Sequence, residues 1–395
     1  KILYGVSIVE NQAIHPKSPV NTLPNDAHVE VYGMCPGRAT YYSDVEKSEI
    51  CDTVEEVCGV TNNYGKPKFH LGKAWKTSLD VSCRPSIGVE GTLLATAVQD
   101  YTEFLIKRIE QIPDLRKYIR PLTRMETICG IDGVRFIDKM PPNTSIGAPL
   151  SGAKSKFLTL LPPEEYPDFA CPAELDGMFW DHFGQCKQEF LQGRRVYFLF
   201  KACLKDEPTK ITKDKVRVFQ AAPVVLQLFV RMYYLPIVRL LSLFPLDSEC
   251  GVGINTVGPE FHDLVVHMRK YGEDRILAGD YSKYDLRMPA QLIFAAFDVL
   301  IQIARHFGYS QEDLDIMKGI ATEIAYPLIM YNGDLIQHFG SNPSGQNLTV
   351  YINSIVNSLL MRSCFYSMYP ATQSFREAAA MMTYGDDVKG SVSER

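Results

Sequence analysis

The stretch Met381–Val392 reads MMTYGDDVKGSV and places two adjacent aspartates between two runs of residues that favour strands. The runs MMTY and VKGSV suit two antiparallel strands, so the central Gly-Asp-Asp is predicted to be the turn of a hairpin. At such a turn the carboxylates of Asp386 and Asp387 each make the other harder to ionise. The sequence therefore indicates a functional turn, because a bound cation would reverse the repulsion.

The composition is that of a folded protein of ordinary charge. The chain has 395 residues, of which 46% are hydrophobic and 22% are charged, so it is long enough for two or three domains with buried cores. The net charge of −5 provides no general attraction to nucleic acid, so a site for a polyanion must come from local clustering. None of the ten cysteines forms a C-x-x-C pair, which argues against zinc ribbons and redox motifs. With no secretory leader in the sequence, we expect a reducing cytosol.

The most apolar stretch, residues 216–246, is interrupted by glutamines, arginines and prolines. It is predicted to be a buried helix and loop, and no transmembrane segment is expected in this chain. The chain begins at Lys1 rather than at a methionine, and it ends eight residues after Asp387. We therefore expect a fragment of a longer chain, such as a polyprotein.

Hydrophobic periodicity predicts the first part of the secondary structure. Residues 1–80 are rich in Pro, Gly, Asn and Cys and are predicted to form loops and short strands, whereas residues 142–152 are typical of a turn-rich linker. Helices are predicted over residues 91–119 and around residues 174–192, and a strand is predicted over Tyr197–Leu204.

The pattern changes after Arg275. The run RILAG predicts a short strand that leads into Asp280, and a helix is predicted after Pro289 that Gly308 can terminate. A second helix is expected over residues 346–366, ahead of the hairpin. Strand, helix, helix and hairpin in this order predict a small antiparallel sheet backed by helices, which is an α+β arrangement.

Three carboxylates are predicted to converge at the ends of neighbouring strands. Asp280 ends one predicted strand, Asp386 and Asp387 occupy the hairpin turn, and neighbouring antiparallel strands lie about 5 Å apart. Oxygen-only ligands favour Mg²⁺ or Mn²⁺ over Zn²⁺, and two such ions roughly 3.5–4 Å apart can activate an attacking hydroxyl and stabilise a leaving phosphate oxygen. The alternative is a solvated polar turn, which is the commoner meaning of an isolated Asp-Asp pair.

Two further polar stretches suit recognition of a sugar. In GDYSKYD, Asp285 follows Asp280 by five residues and can bond a hydroxyl, although it can also cap the helix that follows. In SNPSGQNLTVYINS, a glycine loop leads into a helix on which Thr349 and Asn353 share one face. Such a loop can bind anions and such a face can read sugar hydroxyls, although a capped helix without a ligand is the alternative.

A run of positive charge lies between Arg194 and Arg217, opposed by only three acidic residues. Such a run suits phosphate or a nucleic-acid backbone, and the alternative is a solvated charged surface. The flanking runs VYFLF and VFQAAPVVLQLF indicate that the segment is tied to a core at both ends. Its basic residues are Arg194, Arg195, Lys201, Lys205, Lys210, Lys213, Lys215 and Arg217.

The order of these motifs resembles that of the RNA-dependent RNA polymerases of picorna-like positive-strand RNA viruses. In that family the corresponding strings are motifs G, F, A, B and C, in this chain order. Here they read Thr144–Pro149 (TSIGAP), Lys205-Asp206-Glu207 to Arg217, Asp280 to Asp285, Ser344-Gly345 to Asn353, and Tyr384 to Asp387. The run GVGIN at Gly251–Asn255 is similar to the family's lead-in to motif A.

The resemblance implies a role for each of these side chains. The residues implied to bind two metal ions are Asp280 and Asp386, with Asp387 beside them. Those implied to recognise the ribose of the incoming nucleotide are Asp285, Ser344, Thr349 and Asn353, and Gly345 is implied to flex during translocation. Those implied to contact the triphosphate are Lys205, Lys210 and Arg217, and those implied to guide the template are Thr144, Ser145 and Gly147.

The resemblance also implies a right-hand architecture, with fingers and an antiparallel palm of α+β structure and with the thumb missing. We expect an N-terminal fingers region over residues 1–143, fingers with motifs G and F over residues 144–272, and a palm core with motifs A, B and C over residues 273–395. In the family, motifs D and E and the thumb follow motif C. The fragment alone is therefore expected to be weak or inactive.

The implied reaction is template-directed transfer of ribonucleotides to an RNA 3′-hydroxyl in viral genome replication. The implied partners are the RNA template and product, ribonucleoside triphosphates and other viral replication proteins, and the implied location is the host cytoplasm at membrane-associated replication complexes. The alternatives are a reverse transcriptase and a non-catalytic RNA-binding or scaffold segment of a polyprotein. Gly385 and the pair Asp285–Asn353 favour the polymerase that uses ribonucleotides.

Overall fold

The predicted hairpin lies in a three-stranded antiparallel sheet, and a five-stranded mixed sheet is formed by other parts of the chain. The computed structural model describes residues 2–3, 6–7, 14–36, 41–69 and 72–394. In chain order the strands are β1 (Ile2–Leu3), β2 (Val6–Ser7), β3 (Val29–Met34), β4 (Tyr64–Gly65), β5 (Leu158–Leu160), β6 (Ala173–Leu175), β7 (Leu199–Leu204), β8 (Thr209–Lys210), β9 (Val218–Ala221), β10 (Ile276–Gly279), β11 (Leu328–Tyr331), β12 (Asp334–His338), β13 (Ala379–Tyr384) and β14 (Asp387–Val392). The α-helices are α1 (Cys51–Cys58), α2 (Lys73–Ser82), α3 (Gly91–Glu110), α4 (Arg124–Cys129), α5 (Gly177–Leu191), α6 (Val224–Leu243), α7 (Pro245–Ser248), α8 (Pro259–Met268), α9 (Tyr284–Arg287), α10 (Ala290–His306), α11 (Gln311–Ala325), α12 (Thr349–Met368) and α13 (Phe375–Ala378).

The larger sheet has the strand order β3-β12-β11-β7-β9. Its neighbours are antiparallel except β7 and β11, which run parallel. The smaller sheet has the order β10-β14-β13 and is antiparallel throughout. Because Gly279 pairs with Val388, the end of β10 lies beside the start of β14, which is where the hairpin turn ends.

Helices pack against the smaller sheet, as the sequence predicts. Helix α12 contacts β13 as well as α3 and α10, and α8 contacts both β13 and β14. The largest core cluster of buried apolar residues takes members from all three segments expected from the sequence, for example Leu105, Phe229 and Ile355. The expected boundaries at residues 143 and 272 therefore do not separate independent cores, and the domain division stays a prediction.

The apolar stretch forms α6, which is a core helix. By length and hydropathy α6 could cross a membrane, the only helix in the described part of the chain for which this holds, with a mean hydropathy of 1.6. Inside the fold, 89% of that window is buried against other elements. Its buried surface includes Arg231, whose guanidinium donates to the carbonyls of Thr127 and Asp138. The prediction of a buried helix is confirmed.

The elements predicted after residue 275 are present, but α11 and the strands β11 and β12, which lie between α10 and α12, were not predicted. Helix α10 begins directly after Pro289, and Gly308, with a φ of +99°, lies just beyond its end. Glycine adopts this left-handed conformation without the steric cost that other residues meet. Helix α12 covers Thr349–Met368 where residues 346–366 were predicted.

Two predictions for the first 120 residues were wrong in part. Helix α3 is shorter than predicted, and a 3₁₀ helix covers Pro113–Tyr118, because a proline lacks the N–H that a continuing helix needs. Residues 1–80 include α1 and the start of α2, which were not expected. None of the residues of α1 is buried, so its apolar positions mark no core face that a sequence pattern could reveal. Residues 1, 4–5, 8–13, 37–40 and 70–71 of that prediction lie outside the described residues.

Candidate active site

The Gly-Asp-Asp turn is a tight two-residue hairpin loop. Tyr384 pairs with Asp387 across the end of the ladder, which leaves Gly385 and Asp386 as the two central residues. Gly385 has a φ of +65°, and a turn with glycine at its first central position matches the right-handed twist of the flanking strands. The glycine is therefore explained by backbone conformation, and a Cβ at this position would have no atom within 4 Å.

The structure brings the three predicted carboxylates together. Asp280 follows β10 directly, and the pairing of β10 with β14 carries it to the hairpin turn. One carboxylate oxygen from each of Asp280, Asp386 and Asp387 lies within 4.8 Å of the others. Residues separated by about a hundred positions in the chain thus form one acidic cluster.

The cluster is electrostatically unfavourable as it stands. Partial burial raises the pKa of Asp386, and the charges of Asp387 and Asp280 raise it further. Such a group is stabilised in its ionised form by a cation, and a set of carboxylate oxygens suits a hard divalent ion such as Mg²⁺ or Mn²⁺. The residues present therefore fit a divalent-metal site.

Asp285 and Asn353 form the pair that the sequence predicted to read a hydroxyl. Asp285 lies in the short helix α9, and its carboxylate accepts a hydrogen bond of 2.5 Å from Nδ2 of Asn353 on α12. Burial raises the pKa of Asp285, although the bond from Asn353 opposes that shift. The side chain of Asp285 contacts Asn353 rather than the start of a helix, so the alternative of a simple helix cap is not supported.

The glycine loop ahead of α12 is tied to the larger sheet. The carbonyl of Gly345 accepts from the N–H of Ala222, and a Cβ at position 345 would lie 2.3 Å from the carbonyl oxygen of Gln220. Only glycine allows this approach. Ser344 beside it is exposed, and the hydroxyl of Thr349 donates to the carbonyls of the loop at 2.8 and 2.9 Å. Ser344 is thus open to solvent, whereas Thr349 closes the loop onto its helix.

Two of the predicted triphosphate ligands share a single counter-ion. Arg217 donates two hydrogen bonds of 2.6 Å to the carboxylate of Glu207, and Nζ of Lys205 lies 3.1 Å from the same carboxylate. The pKa of Arg217 is raised first by Glu207 and also by Asp285 and Asp386, so the guanidinium is near enough to the acidic cluster to feel its charge. Arg217 and Lys205 both lie close enough to Asp285 for their charges to lower its pKa, and binding of a triphosphate by them stays a prediction.

The rest of the basic run is not one continuous surface. Lys210 lies in β8 and its Nζ is over the ring of Tyr64 at 5.9 Å, apart from the pair at Glu207. Arg194 forms a bidentate ion pair with Glu189. Arg195 pairs with the fully buried carboxylate of Glu323, which also accepts backbone N–H groups at residues 196–198. Arg195 is therefore bound to a buried carboxylate, whereas Arg194 lies in an exposed ion pair, and binding of phosphate by the whole run stays a prediction.

The residues predicted to guide a template lie on one loop. The hydroxyl of Thr144 accepts a hydrogen bond from Nζ of Lys154, and the hydroxyl of Ser145 accepts from the N–H of Gly147. Gly147 has a φ of +86°, and a Cβ there would lie 2.6 Å from Cα of Pro223. Burial lowers the pKa of Lys154 to about 8. The loop is thus fixed at its base, while Thr144 and Ser145 remain exposed.

The sequence analysis did not identify the residues of α12 that hydrogen-bond to the Gly-Asp-Asp turn. Nδ2 of Asn357 donates to the carbonyls of Gly385 and Asp386 at 3.2 Å each, and the hydroxyl of Ser354 accepts from the N–H of Gly385 at 2.9 Å. Both residues lie on α12, one and four positions after Asn353. This spacing was the available signal, because residues i and i+4 share a helix face.

A buried ionic cluster, formed by Glu249, Arg362, Arg376 and Asp100, lies behind β13. The carboxylate of Glu249 accepts two hydrogen bonds of 2.7 Å from Arg362, and Arg362 also donates to Asp100. The backbone carbonyl of Glu249 accepts from both the N–H and the hydroxyl of Thr383, two residues before the glycine of the turn. The cluster thus fixes β13, the strand that leads into the Gly-Asp-Asp turn. No short sequence motif indicates this cluster.

Comparison with known proteins agrees with this geometry. Residues 93–395 match the family described as viral RNA-dependent RNA polymerase. The chain is 30% identical over 286 residues to the genome polyprotein of Deformed wing virus, covering 68% of this chain and 10% of that polyprotein. It is 26% identical over 345 residues to the replicase polyprotein of Cricket paralysis virus, covering 78% of this chain and 18% of the polyprotein. It therefore spans less than a fifth of these curated relatives.

The fold has a solved counterpart. The structure described as Sicinivirus 3Dpol RNA dependent RNA polymerase superposes with a TM-score of 0.69 at 18% sequence identity, covering 93% of this chain and 72% of that one. The α+β right-hand polymerase fold implied by the resemblance is thus confirmed, while the missing thumb stays a prediction. Since the family match covers most of the sequence, the chain belongs to the viral RNA-dependent RNA polymerases, and its relatives are those of picorna-like viruses.

Proposed function

We propose that this chain carries the catalytic core of an enzyme that copies an RNA template by adding ribonucleotides to an RNA 3′-hydroxyl. The observation that carries the proposal is the convergence of Asp280, Asp386 and Asp387 within 4.8 Å, beside the hydrogen-bonded pair Asp285–Asn353. The first group suits metal-assisted phosphoryl chemistry, and the second suits recognition of a ribose hydroxyl. Membership of the polymerase family supports the same reading.

Asp280, Asp386 and Asp387 would hold two Mg²⁺ or Mn²⁺ ions. Bound there, the ions would supply Lewis-acid activation of the attacking hydroxyl and charge stabilisation for the leaving pyrophosphate. The protein's own contribution is to fix the three carboxylates through paired strands and to keep the turn in place through α12. Preorganised charge of this kind is the larger part of many enzymatic rate enhancements.

The side chains around the acidic cluster would each bind a different part of the nucleotide. Asp285, with Asn353 donating to it, would accept a hydrogen bond from the 2′-hydroxyl of the ribose. Lys205 and Arg217 would bind the triphosphate, since both already lie on a partly exposed carboxylate that a phosphate can replace. Lys210 is a triphosphate ligand only if β8 moves, because its ammonium faces Tyr64.

The remaining site residues concern the loops. We propose that exposed Ser344 contacts the incoming nucleotide, and that Thr349 holds the glycine loop in position for it. Gly345 would move with translocation, which would require its backbone contact with Ala222 to break. Thr144, Ser145 and Gly147 would contact the template strand.

Primer extension by the full-length polymerase that contains this chain tests the proposal. We expect labelled ribonucleotides to be incorporated with Mg²⁺ and not with excess EDTA. Asp386→Asn should lower incorporation roughly a thousandfold, since one metal-holding carboxylate is lost, while RNA binding stays near that of the wild type. The matched control is Asp298→Asn, an exposed aspartate on α10 whose carboxylate accepts a hydrogen bond from Gln302.

Three results would reject the proposal. Turnover by Asp386→Asn at the level of Asp298→Asn would remove the acidic cluster from the chemistry. Incorporation of deoxyribonucleotides in preference to ribonucleotides would favour the reverse transcriptase alternative. RNA affinity that needs no metal, without any incorporation, would favour the scaffold alternative. Association with other viral proteins and a location at host membranes stay predictions.

A further inference from the structure

A chain of buried amides runs from the glycine loop to Asp285. The N–H of Leu348 donates to Oε1 of Gln346 at 2.7 Å, and Nε2 of Gln346 donates to Oδ1 of Asn342 at 3.4 Å. Nδ2 of Asn342 donates to Oδ1 of Asn353 at 2.8 Å, and Nδ2 of Asn353 donates to Asp285 at 2.5 Å. The three amide side chains in this series are between 1% and 6% exposed.

The direction of these hydrogen bonds is fixed by the two ends. A backbone N–H, at Leu348, can only donate, and an ionised carboxylate, at Asp285, can only accept. Each amide between them offers one acceptor oxygen and one donor nitrogen, so a single orientation of all three satisfies the whole series. Reversing one amide would place two oxygens or two nitrogens face to face, at a cost that burial increases.

This orientation limits what Asn353 can offer to a ligand. Its Oδ1 is occupied by Asn342, and one hydrogen of its Nδ2 is occupied by Asp285. The second hydrogen of Nδ2 is therefore the group that Asn353 can offer to a ligand. It is a donor that lies beside the acceptor Asp285. A hydroxyl group satisfies both at once, because it accepts through its oxygen and donates through its hydrogen. A deoxyribose lacks the group that pairs with either.

We propose that Asn342 is a positioning residue for ribose selection, a role that rests on the proposed polymerase function. By bonding Oδ1 of Asn353 it prevents that amide from rotating. The donor Nδ2 of Asn353 therefore stays beside the acceptor Asp285, where a hydroxyl can pair with both. Its backbone N–H also donates to the carbonyl of Asp285 at 2.9 Å, so Asn342 contacts both members of the pair. A site built to bond a hydroxyl rejects the analogue without it strongly, because buried polar groups are then left unpaired.

The test compares kcat/KM for CTP and dCTP in the full-length polymerase. Asn342→Leu keeps the size of the side chain and removes the bond to Asn353, so the preference for CTP should fall about tenfold, mainly through a higher KM for CTP. Gln346→Glu keeps the acceptor for Leu348 and removes the donor to Asn342, so it should shift the preference in the same direction by about two- to fivefold. If Asn342→Leu folds poorly, Gln346→Glu still tests the proposal.

The matched control is Gln337→Leu. Gln337 is also a buried amide, but its oxygen accepts from Tyr32 on the larger sheet. A loss of packing alone would affect this control as much as Asn342→Leu, whereas the CTP preference of the control should stay within twofold of the wild type.

A double variant separates action through Asn353 from an independent effect. If Asn342 acts through that amide, Asn342→Leu combined with Asn353→Leu should discriminate no less than Asn353→Leu alone. Multiplied losses, or an unchanged CTP preference in both Asn342→Leu and Gln346→Glu, would overturn the inference while leaving the polymerase activity established. A wild type that incorporates neither nucleotide would overturn the proposed function and this inference with it.

Discussion

The acidic turn and the basic segment, which we propose to act on the same nucleotide, are held in opposite ways. The backbone of the turn bonds Asn357 and Ser354, which are buried on α12. Lys205 and Arg217 have side chains that are 46% and 56% exposed, and they share the carboxylate of Glu207. One region is therefore fixed before any ligand arrives, and the other is held by ion pairs that a ligand can replace.

This difference matches the chemistry proposed for each region. Carboxylates that hold metal ions must keep their geometry, since small displacements reduce the benefit of positioning. Cations that receive a triphosphate gain from mobility, because they must release one anion to bind another. The comparison therefore predicts large effects from changes behind the turn and small effects from changes in the basic segment.

Removing the charge of Glu249 should have the largest effect on stability. Burial alone would raise its pKa, but the charges of Arg362 and Arg376 and the bonds from Arg362 outweigh this and hold the pKa at about 2. Glu249→Gln leaves Arg362 buried with only Asp100 as a charged partner, so we expect roughly 3–5 kcal/mol less free energy of unfolding. Chemical denaturation followed by circular dichroism measures this.

The same residue makes a pH prediction. A carboxylate whose pKa is depressed on folding contributes stability that is present above its unfolded pKa near 4.5 and is lost as the pH falls toward 2. The difference in stability between wild type and Glu249→Gln should therefore shrink through that window. A difference that stays constant from pH 6 to pH 3 would show that the charge of Glu249 does not stabilise the fold.

The turn and its strand partner could be predicted because their signals are local. Gly385 between two strand-forming runs, and Asp280 at the end of RILAG, are patterns that each span only a few residues. The convergence of Asp280 with the turn then needed only antiparallel pairing of neighbouring strands. Helix α10 was predictable for the same reason, since Pro289 and Gly308 mark its ends.

The supports of the site could not be predicted because their partners are distant in the chain. Glu249 and Arg362 are 113 residues apart, and nothing in either neighbourhood indicates the other. The partner of Arg195 could not be predicted either, because a run of charge gave no sign that Arg195 would pair with the buried carboxylate of Glu323, 128 residues later. The sequence analysis did not single out Asn342, because an asparagine directly before a proline, with glycines nearby on both sides, has the local pattern of an ordinary turn.

Removing the hydrogen bonds from Asn357 to the turn should lower the rate of catalysis more than the free energy of unfolding. Asn357→Leu keeps the side-chain volume and removes the N–H groups that the carbonyls of Gly385 and Asp386 accept from. We expect kcat to fall roughly ten- to a hundredfold and the Mg²⁺ concentration for half-maximal activity to rise, since the metal-holding carboxylates lose a fixed backbone. Primer extension at varied Mg²⁺ concentration measures both.

The control for that variant is Ser363→Ala, also on α12. Ser363 is buried, and its hydroxyl donates to the carbonyl of Leu359 within the same helix. Its activity and Mg²⁺ requirement should stay within twofold of the wild type. An Asn357→Leu enzyme with wild-type kcat and Mg²⁺ requirement would show that the paired strands and Ser354 hold the turn without Asn357.

Removing the counter-ion of the basic segment should have the smallest effect. Exposed ion pairs contribute at most about 1 kcal/mol, so Glu207→Gln should leave the fold unchanged. The triphosphate would no longer compete with a carboxylate for Arg217 and Lys205, so the KM for a ribonucleotide should fall about two- to fivefold with kcat unchanged, most clearly at low ionic strength. The control is Glu189→Gln, which breaks an equally bidentate pair with Arg194 that lies outside the proposed triphosphate site. A tenfold loss of kcat in Glu207→Gln would mean that Glu207 fixes these cations as firmly as α12 fixes the turn, and the contrast between the two regions would then fail.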